Sequence, residues 1–80
     1  MSEIQEGKKI PLKYIDVKSS NIKQVAYNQD NKLFGVIFES KKEYHYNDVP
    51  PAKVLGLLFA DSVGKYFNEN IRDSFKYKEQ

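Results

Sequence analysis

The sequence predicts a small α+β domain in which a three-stranded antiparallel β-meander is followed by two C-terminal α-helices. Three observations indicate this class. Aromatic and β-branched residues fill three short stretches in the middle of the chain, and polar turns separate them. Apolar residues then recur at helical spacing after a pair of prolines. Finally, 80 residues, of which 40% are apolar, are enough for one small core and no more.

Three strands are predicted, at Ile22–Asn28, residues 32–39 and residues 43–47. The first is rich in β-branched residues and ends in a polar turn cluster. The second is nearly all apolar, which is typical of a central strand covered on both faces. In the third, alternation places Tyr44 and Tyr46 on one face of the sheet and His45 on the other.

Two helices are predicted after the strands. Pro50 and Pro51 fit the first turn of a helix, where the missing N–H has no partner. The first helix has a predicted buried face of four apolar residues, Val54, Leu55, Leu58 and Phe59. Asp61 or Ser62 can cap the second helix. Its predicted buried face consists of Tyr66, Phe67, Asn70 and Ile71.

The two ends of the chain are predicted to lie outside the domain itself. Residues 1–16 are expected to form a flexible arm or an added edge strand, residues 17–76 the domain, and residues 77–80 a tail. Between residues 8 and 23 there are five lysines and one aspartate. Such a basic arm can contact phosphate, although a solvated charged surface is the more common explanation.

Composition excludes several classes of function. The absence of cysteine excludes disulfide scaffolds, thiol nucleophiles and cysteine zinc sites, and a single histidine cannot make a histidine-rich metal site. The nearest partner of His45 on its own face is Glu43, and no motif completes a catalytic set. We therefore expect no enzyme, no cofactor and no metal.

No apolar run in the sequence approaches the length of a membrane span, and the first residues are polar, so a cytoplasmic protein without membrane contact is expected.

The order of several motifs resembles the KTSC domain, a short domain named for the C-terminus of some lysyl-tRNA synthetases. The residues that carry the resemblance are Val17-Lys18-Ser19-Ser20-Asn21-Ile22, Val25-Ala26-Tyr27-Asn28, Tyr44-His45-Tyr46, Val49-Pro50, Leu58, Ala60, Ser62, Gly64 and Tyr66-Phe67-Asn68. The turn at Ser40-Lys41-Lys42 and the alanine at position 26 depart from the family pattern, in which Asn-Gly and glycine are common. The resemblance implies a stand-alone member of a largely uncharacterised family, for which RNA binding is suggested by attachment to a tRNA-handling enzyme.

Two tyrosines form the first candidate site. On an open sheet face, Tyr44 and Tyr46 could stack successive unpaired bases of RNA. Under the helices, the same rings would form the core with Phe34 or Phe38. The core interpretation is favoured, because a three-stranded sheet needs at least one covered face and these are its largest side chains.

The start of the second helix is the other candidate. Ser62, Gly64 and Lys65 can together hold a phosphate at free backbone N–H groups. The favoured alternative is structural, with the serine capping the helix and the glycine permitting close packing. Asn68 and Arg72 lie one and two turns farther along and extend this polar face.

We therefore predict a small non-catalytic binding module, with RNA as the first candidate ligand. The alternative is a protein-interaction module that acts through the helical face or an exposed strand edge. A weaker alternative is capture of a small anionic ligand, such as a nucleotide, at residues 62–65.

Overall fold

The computed structural model describes residues 12–80. Its strands are β1 (Ile15–Asp16), β2 (Ile22–Asn28), β3 (Leu33–Phe38), β4 (Glu43–Tyr46) and β5 (Tyr77–Glu79), and its helices are α1 (Pro51–Leu58) and α2 (Val63–Asn70). The expectations for residues 1–11, among them Lys8 and Lys9 of the basic arm, lie outside the described residues. Neither helix of residues 12–80 has the length and apolar character that crossing a membrane requires.

The described residues form one antiparallel sheet of five strands, where the sequence predicted three. The predicted meander is its centre, and the strands lie in the order β1-β2-β3-β4-β5. At one edge Ile15 pairs with Val25, and at the other Tyr77 pairs with Tyr46. Residues 77–80 are therefore not simply a tail. All three residues of β5 are exposed, and this strand is held by backbone pairing with β4 and by packing of the Tyr77 ring on Tyr44 and Tyr46.

Side chains on one face of the sheet form the core together with the helices. Alternation along β3 turns Phe34 and Val36 toward the helices, and both are fully buried. Phe67 and Ile71 of the α2 region join the same cluster, which confirms the centre of the buried face predicted for that helix. The other two members of that predicted face are half-buried. Burial of these large side chains is the main source of stability in so small a domain.

The buried face of α1 differs from the prediction. Val54 and Leu57 are buried, whereas Leu55, Leu58 and Phe59 are exposed, Phe59 to 83%. Helical spacing did not identify the face because this short helix carries apolar residues almost all round, so several different faces fit the same pattern. Phe59 also lies at the C-cap, beyond the last helical residue. The exposed side chains form an apolar patch on the outside of the helix.

The other face of the sheet is covered in part by the segment that enters β1. Gly35, in the middle of β3, is buried, and a Cβ atom there would overlap Tyr14 and lie 2.9 Å from the Leu12 Cδ1 atom. The glycine therefore leaves room for this segment to lie against the sheet. Helices cover one face of β3 and residues 12–14 reach over the other, which confirms the prediction of a strand covered on both faces.

Candidate functional site

The turn before β2 and the start of α2 meet closely at one end of the sheet. The hydroxyl of Ser19 donates to Oδ1 of Asn21 at 3.0 Å and accepts from the backbone N–H of Ile22 at 3.3 Å. Such a serine satisfies backbone groups that would otherwise lack partners in the turn. A Cβ at Gly64 would lie 2.6 Å from Asn21 Oδ1 and 3.3 Å from Ser19 Oγ. The glycine therefore permits the helix to approach the turn.

The polar groups at the start of α2 are used structurally. The backbone N–H of Lys65 donates to the Ser62 hydroxyl at 3.3 Å, as expected of an N-cap. Together with the close packing of Gly64, this cap confirms the structural interpretation of the helix start. An open cleft of about 670 Å³ remains between this helix start and the turn at residues 18–21. We call it the polar cleft.

A second cleft lies between β4, β5, α2 and the turn that follows β3. Its volume is about 460 Å³, and it is lined by five aromatic residues and six polar or charged ones. We call it the aromatic cleft, and its aromatic members are Phe38, Tyr44, Tyr46, Phe67 and Tyr77. Pockets of this size and lining are the usual places where proteins hold small ligands or single groups of larger ones.

The three tyrosines of the aromatic cleft differ in burial, from Tyr46 in the core to Tyr77 at the surface. Tyr46 is only 3% exposed and belongs to the core, and its ring centroid lies 6.4 Å from that of Phe34. Tyr44 is half-buried and meets Phe38 edge-on at 5.7 Å. Tyr77 lies 5.2 Å from Tyr46 and is 56% exposed. Tyr44 and Tyr46 thus lie on the helix-covered face, as the core interpretation expects.

Polar and charged side chains rim the aromatic cleft. Two cations, Lys42 and Arg72, and one carboxylate, Asp73, contribute to the lining. The carboxamides of Asn21 and Asn68 line both the aromatic and the polar cleft, so the two adjoin. Carboxamides both donate and accept hydrogen bonds, which suits recognition of a heterocycle edge. The rim therefore combines positive charge with groups that can select a ligand.

Burial also shifts the pKa of one tyrosine in the cleft wall. Burial first, and then the neighbouring Tyr77 and Tyr44, raise the pKa of Tyr46 to about 12, while Arg72 acts in the opposite direction. The Tyr46 hydroxyl is neutral at physiological pH, as it would be at its ordinary pKa of 10.0, and the raised pKa extends that neutrality to higher pH. A neutral hydroxyl can both donate and accept a hydrogen bond, and it does not repel a phosphate.

All seven residues predicted from the sequence as a contact surface lie on these two clefts. Tyr44, Tyr46, Asn68 and Arg72 line the aromatic cleft, and Ser62, Gly64, Lys65 and Asn68 line the polar cleft. The sequence analysis missed Lys42, which it assigned only to a turn, and Tyr77, which it assigned to a tail. Alternation of aromatic and lysine residues from Phe75 to Lys78 was the signal for a strand that could have placed Tyr77 on the sheet.

A separate cluster of titratable groups lies on the opposite face of the sheet. The hydroxyl of Tyr14 donates to Oε2 of Glu43 at 2.5 Å, and Nε2 of His45 lies 2.9 Å from the same oxygen. The hydrogen bonds from Tyr14 and His45 lower the pKa of Glu43, although its partial burial acts the other way. Burial, the hydrogen bond to Glu43 and its charge raise the pKa of Tyr14. His45 lines neither of the two clefts.

Comparison with known proteins identifies the family. The family model of the KTSC domain matches residues 18–75. An uncharacterized protein of Stutzerimonas stutzeri is 36% identical over 58 residues, which are 72% of this chain and 82% of that protein. A lysine–tRNA ligase of Nostoc punctiforme is 36% identical over 62 residues, 78% of this chain and 11% of the ligase. The crystal structure of a KTSC domain protein from Yersinia pestis has a TM-score of 0.84 at 26% identity and covers 88% of this chain and 99% of its own. The chain therefore belongs to the KTSC domain family.

Proposed function

We propose that this chain is a non-catalytic module that binds RNA, with the aromatic cleft as its contact surface. One observation carries the proposal. The cleft offers exposed tyrosine ring surface, and two cations, Lys42 and Arg72, line the same cleft. Aromatic rings stack on bases, and lysine or arginine contacts phosphate, so this pairing matches the two parts of a nucleotide.

The relative in Nostoc punctiforme adds circumstantial support. Its name is that of an enzyme that acts on tRNA, and this chain resembles 11% of its length. An appended domain of such an enzyme has RNA within reach.

The proposed module is non-catalytic because its histidine, His45, lies away from the aromatic cleft. His45 is held by Glu43 and Tyr14 on the sheet face opposite the aromatic cleft. A general acid or base must come within hydrogen-bond reach of a bound substrate. A ligand in the aromatic cleft would lie across the sheet from this imidazole.

The proposal is tested by the salt dependence of RNA binding. We expect fluorescence anisotropy with labelled RNA to give a dissociation constant that rises with salt, because each neutralised phosphate contributes a slope of about 0.7 for single strands. Arg72→Glu should weaken binding and reduce this slope. Lys32→Glu is the matched control, since it makes the same charge change in the exposed turn between β2 and β3 and lines neither cleft.

Two results would contradict the proposal. The first is the absence of salt-sensitive binding to any RNA at micromolar protein. The second is an equal loss at both positions, which would indicate a response to net charge and not to the cleft.

A protein-interaction module is the second candidate, and the apolar patch of α1 favours it. Leu55, Leu58 and Phe59 are all exposed on this helix, and contiguous exposed apolar surface commonly marks a contact site. Under this alternative the chain would retain a stoichiometric protein partner from native lysate. Phe59→Ser should abolish that retention without unfolding the domain, whereas Arg72→Glu should leave it unchanged.

A further inference from the structure

We propose that the aromatic cleft takes one unpaired nucleotide of an RNA strand, with its base stacked on Tyr77. The inference rests on the proposed function and names the form of RNA that the site recognises. It excludes duplex RNA and free nucleoside polyphosphates as principal ligands. Tyr77 also lies outside residues 18–75, the part of the chain that the family model matches.

The exposure of Tyr77 is the first step of the argument. Its ring packs against Tyr44 at 5.5 Å and Tyr46 at 5.2 Å, yet 56% of the residue faces solvent. The other two rings are already engaged with the core. Tyr77 is therefore the tyrosine of the cleft with the most surface left to stack on an incoming base.

The size of the cleft limits what can enter. A volume of about 460 Å³ lies toward the lower end of the range of about 300–1,000 Å³ that small-ligand sites occupy. One nucleotide fits within such a space, whereas a double helix does not. Bases in a duplex are also paired and stacked on their neighbours, so their faces are not available to a protein ring. The cleft therefore suits a base in a single strand, a loop or a frayed end.

The charged residues that line the aromatic cleft favour a ligand with one phosphate group. Lys42, Arg72 and a single carboxylate, that of Asp73, share the lining, which therefore carries one net positive charge. One phosphodiester carries one negative charge and matches it. A nucleoside triphosphate carries several negative charges and would bring them close to the Asp73 carboxylate. A nucleotide within a strand is thus the better complement.

Two asparagines that line both clefts provide the remaining contacts. Asn21 and Asn68 line the wall that the aromatic cleft shares with the polar cleft. An unpaired base exposes its Watson–Crick edge, which amide groups can read by donating and accepting hydrogen bonds. Stacking on Tyr77 and contact with these amides together distinguish an unpaired base from a phosphate-only ligand.

The experiment compares ligands and ring variants by fluorescence anisotropy with the full chain. The probes are labelled oligouridylate and oligoadenylate, a labelled blunt RNA duplex of matched length, and unlabelled AMP and ATP as competitors. We expect the single strands to bind more tightly than the duplex, and AMP to compete better than ATP. Tyr77→Leu should weaken single-strand binding roughly 5- to 150-fold, the range expected for loss of one stacked base. Tyr77→Phe should keep it.

Controls separate a local effect from unfolding. Phe59→Leu replaces another exposed ring outside both clefts and should bind like the wild type. Tyr77→Leu retains apolar contact with the neighbouring tyrosines, and circular dichroism with thermal melting checks its fold. Unchanged single-strand affinity of Tyr77→Leu overturns the inference, as does equal binding of duplex and single strand, or competition by ATP as strong as that of AMP. In these cases RNA binding itself survives, whereas no binding of any RNA removes the proposed function as well.

Discussion

Replacing Leu57 by alanine should destabilise this domain far more than the same change at Leu58. The two leucines are adjacent in α1, so helix propensity, chain length and side-chain chemistry are identical for both substitutions. Their surroundings differ. Leu57 is fully buried in the core cluster, whereas Leu58 is 40% exposed. The difference between the two variants therefore isolates burial.

The magnitude follows from the carbons that each substitution removes. Leucine to alanine deletes three carbons, and about 0.8 kcal/mol for each buried carbon gives a transfer cost of about 2.4 kcal/mol at Leu57. The cavity left in a closed core raises the total to about 3–5 kcal/mol. At Leu58 less area is lost and no closed cavity forms, so we expect about 1 kcal/mol. A domain of this length has a free energy of unfolding of about 4–12 kcal/mol.

Thermal and urea unfolding followed by far-ultraviolet circular dichroism measures both variants. In a domain this small, 1 kcal/mol shifts Tm by about 4–8 °C. Leu57→Ala should therefore lose more than about 10 °C or fail to unfold cooperatively, and Leu58→Ala should lose about 4–8 °C. Equal losses, or a larger loss at Leu58, would refute the buried face assigned to α1.

Two further predictions concern the cluster on the opposite sheet face. The pKa of Glu43 is lowered from its ordinary value of 4.5 by hydrogen bonds from Tyr14 and His45, so its contribution to stability is present above that value and is lost as pH falls through the lowered pKa. Wild type should exceed Glu43→Gln in urea-unfolding stability near neutral pH, and the gap should close in acid; a constant gap would contradict this. His45→Ala should keep RNA affinity within about twofold of wild type because the imidazole lines neither cleft. A large loss of affinity with an intact fold would show that RNA binds on the sheet face that carries His45.

The sequence predicted many residues of the candidate site, but it missed Lys42 and Tyr77 and did not show that the residues lie together. Ser62 and Gly64 lie within a single helix start, so a local pattern revealed both the cap and the close packing. Arg72 and Tyr44 were singled out for their chemistry, yet nothing in the chain says that they line one cleft. They meet because β4 and α2 pack together, and contacts between residues distant in sequence have no local signal.

The sequence by itself determined the three central strands, the two helices that follow them, the helix cap and the family. These follow from alternation, turn residues and capping, which act between neighbours along the chain. Only the tertiary structure decided which side of α1 is buried, because an almost wholly apolar helix has no face that periodicity prefers until it packs against α2 and the sheet. Only the tertiary structure likewise showed that β5 pairs with β4 and packs its Tyr77 ring there, and that the segment entering β1 lies against Gly35. These features depend on a surface that exists only once the rest of the domain has folded.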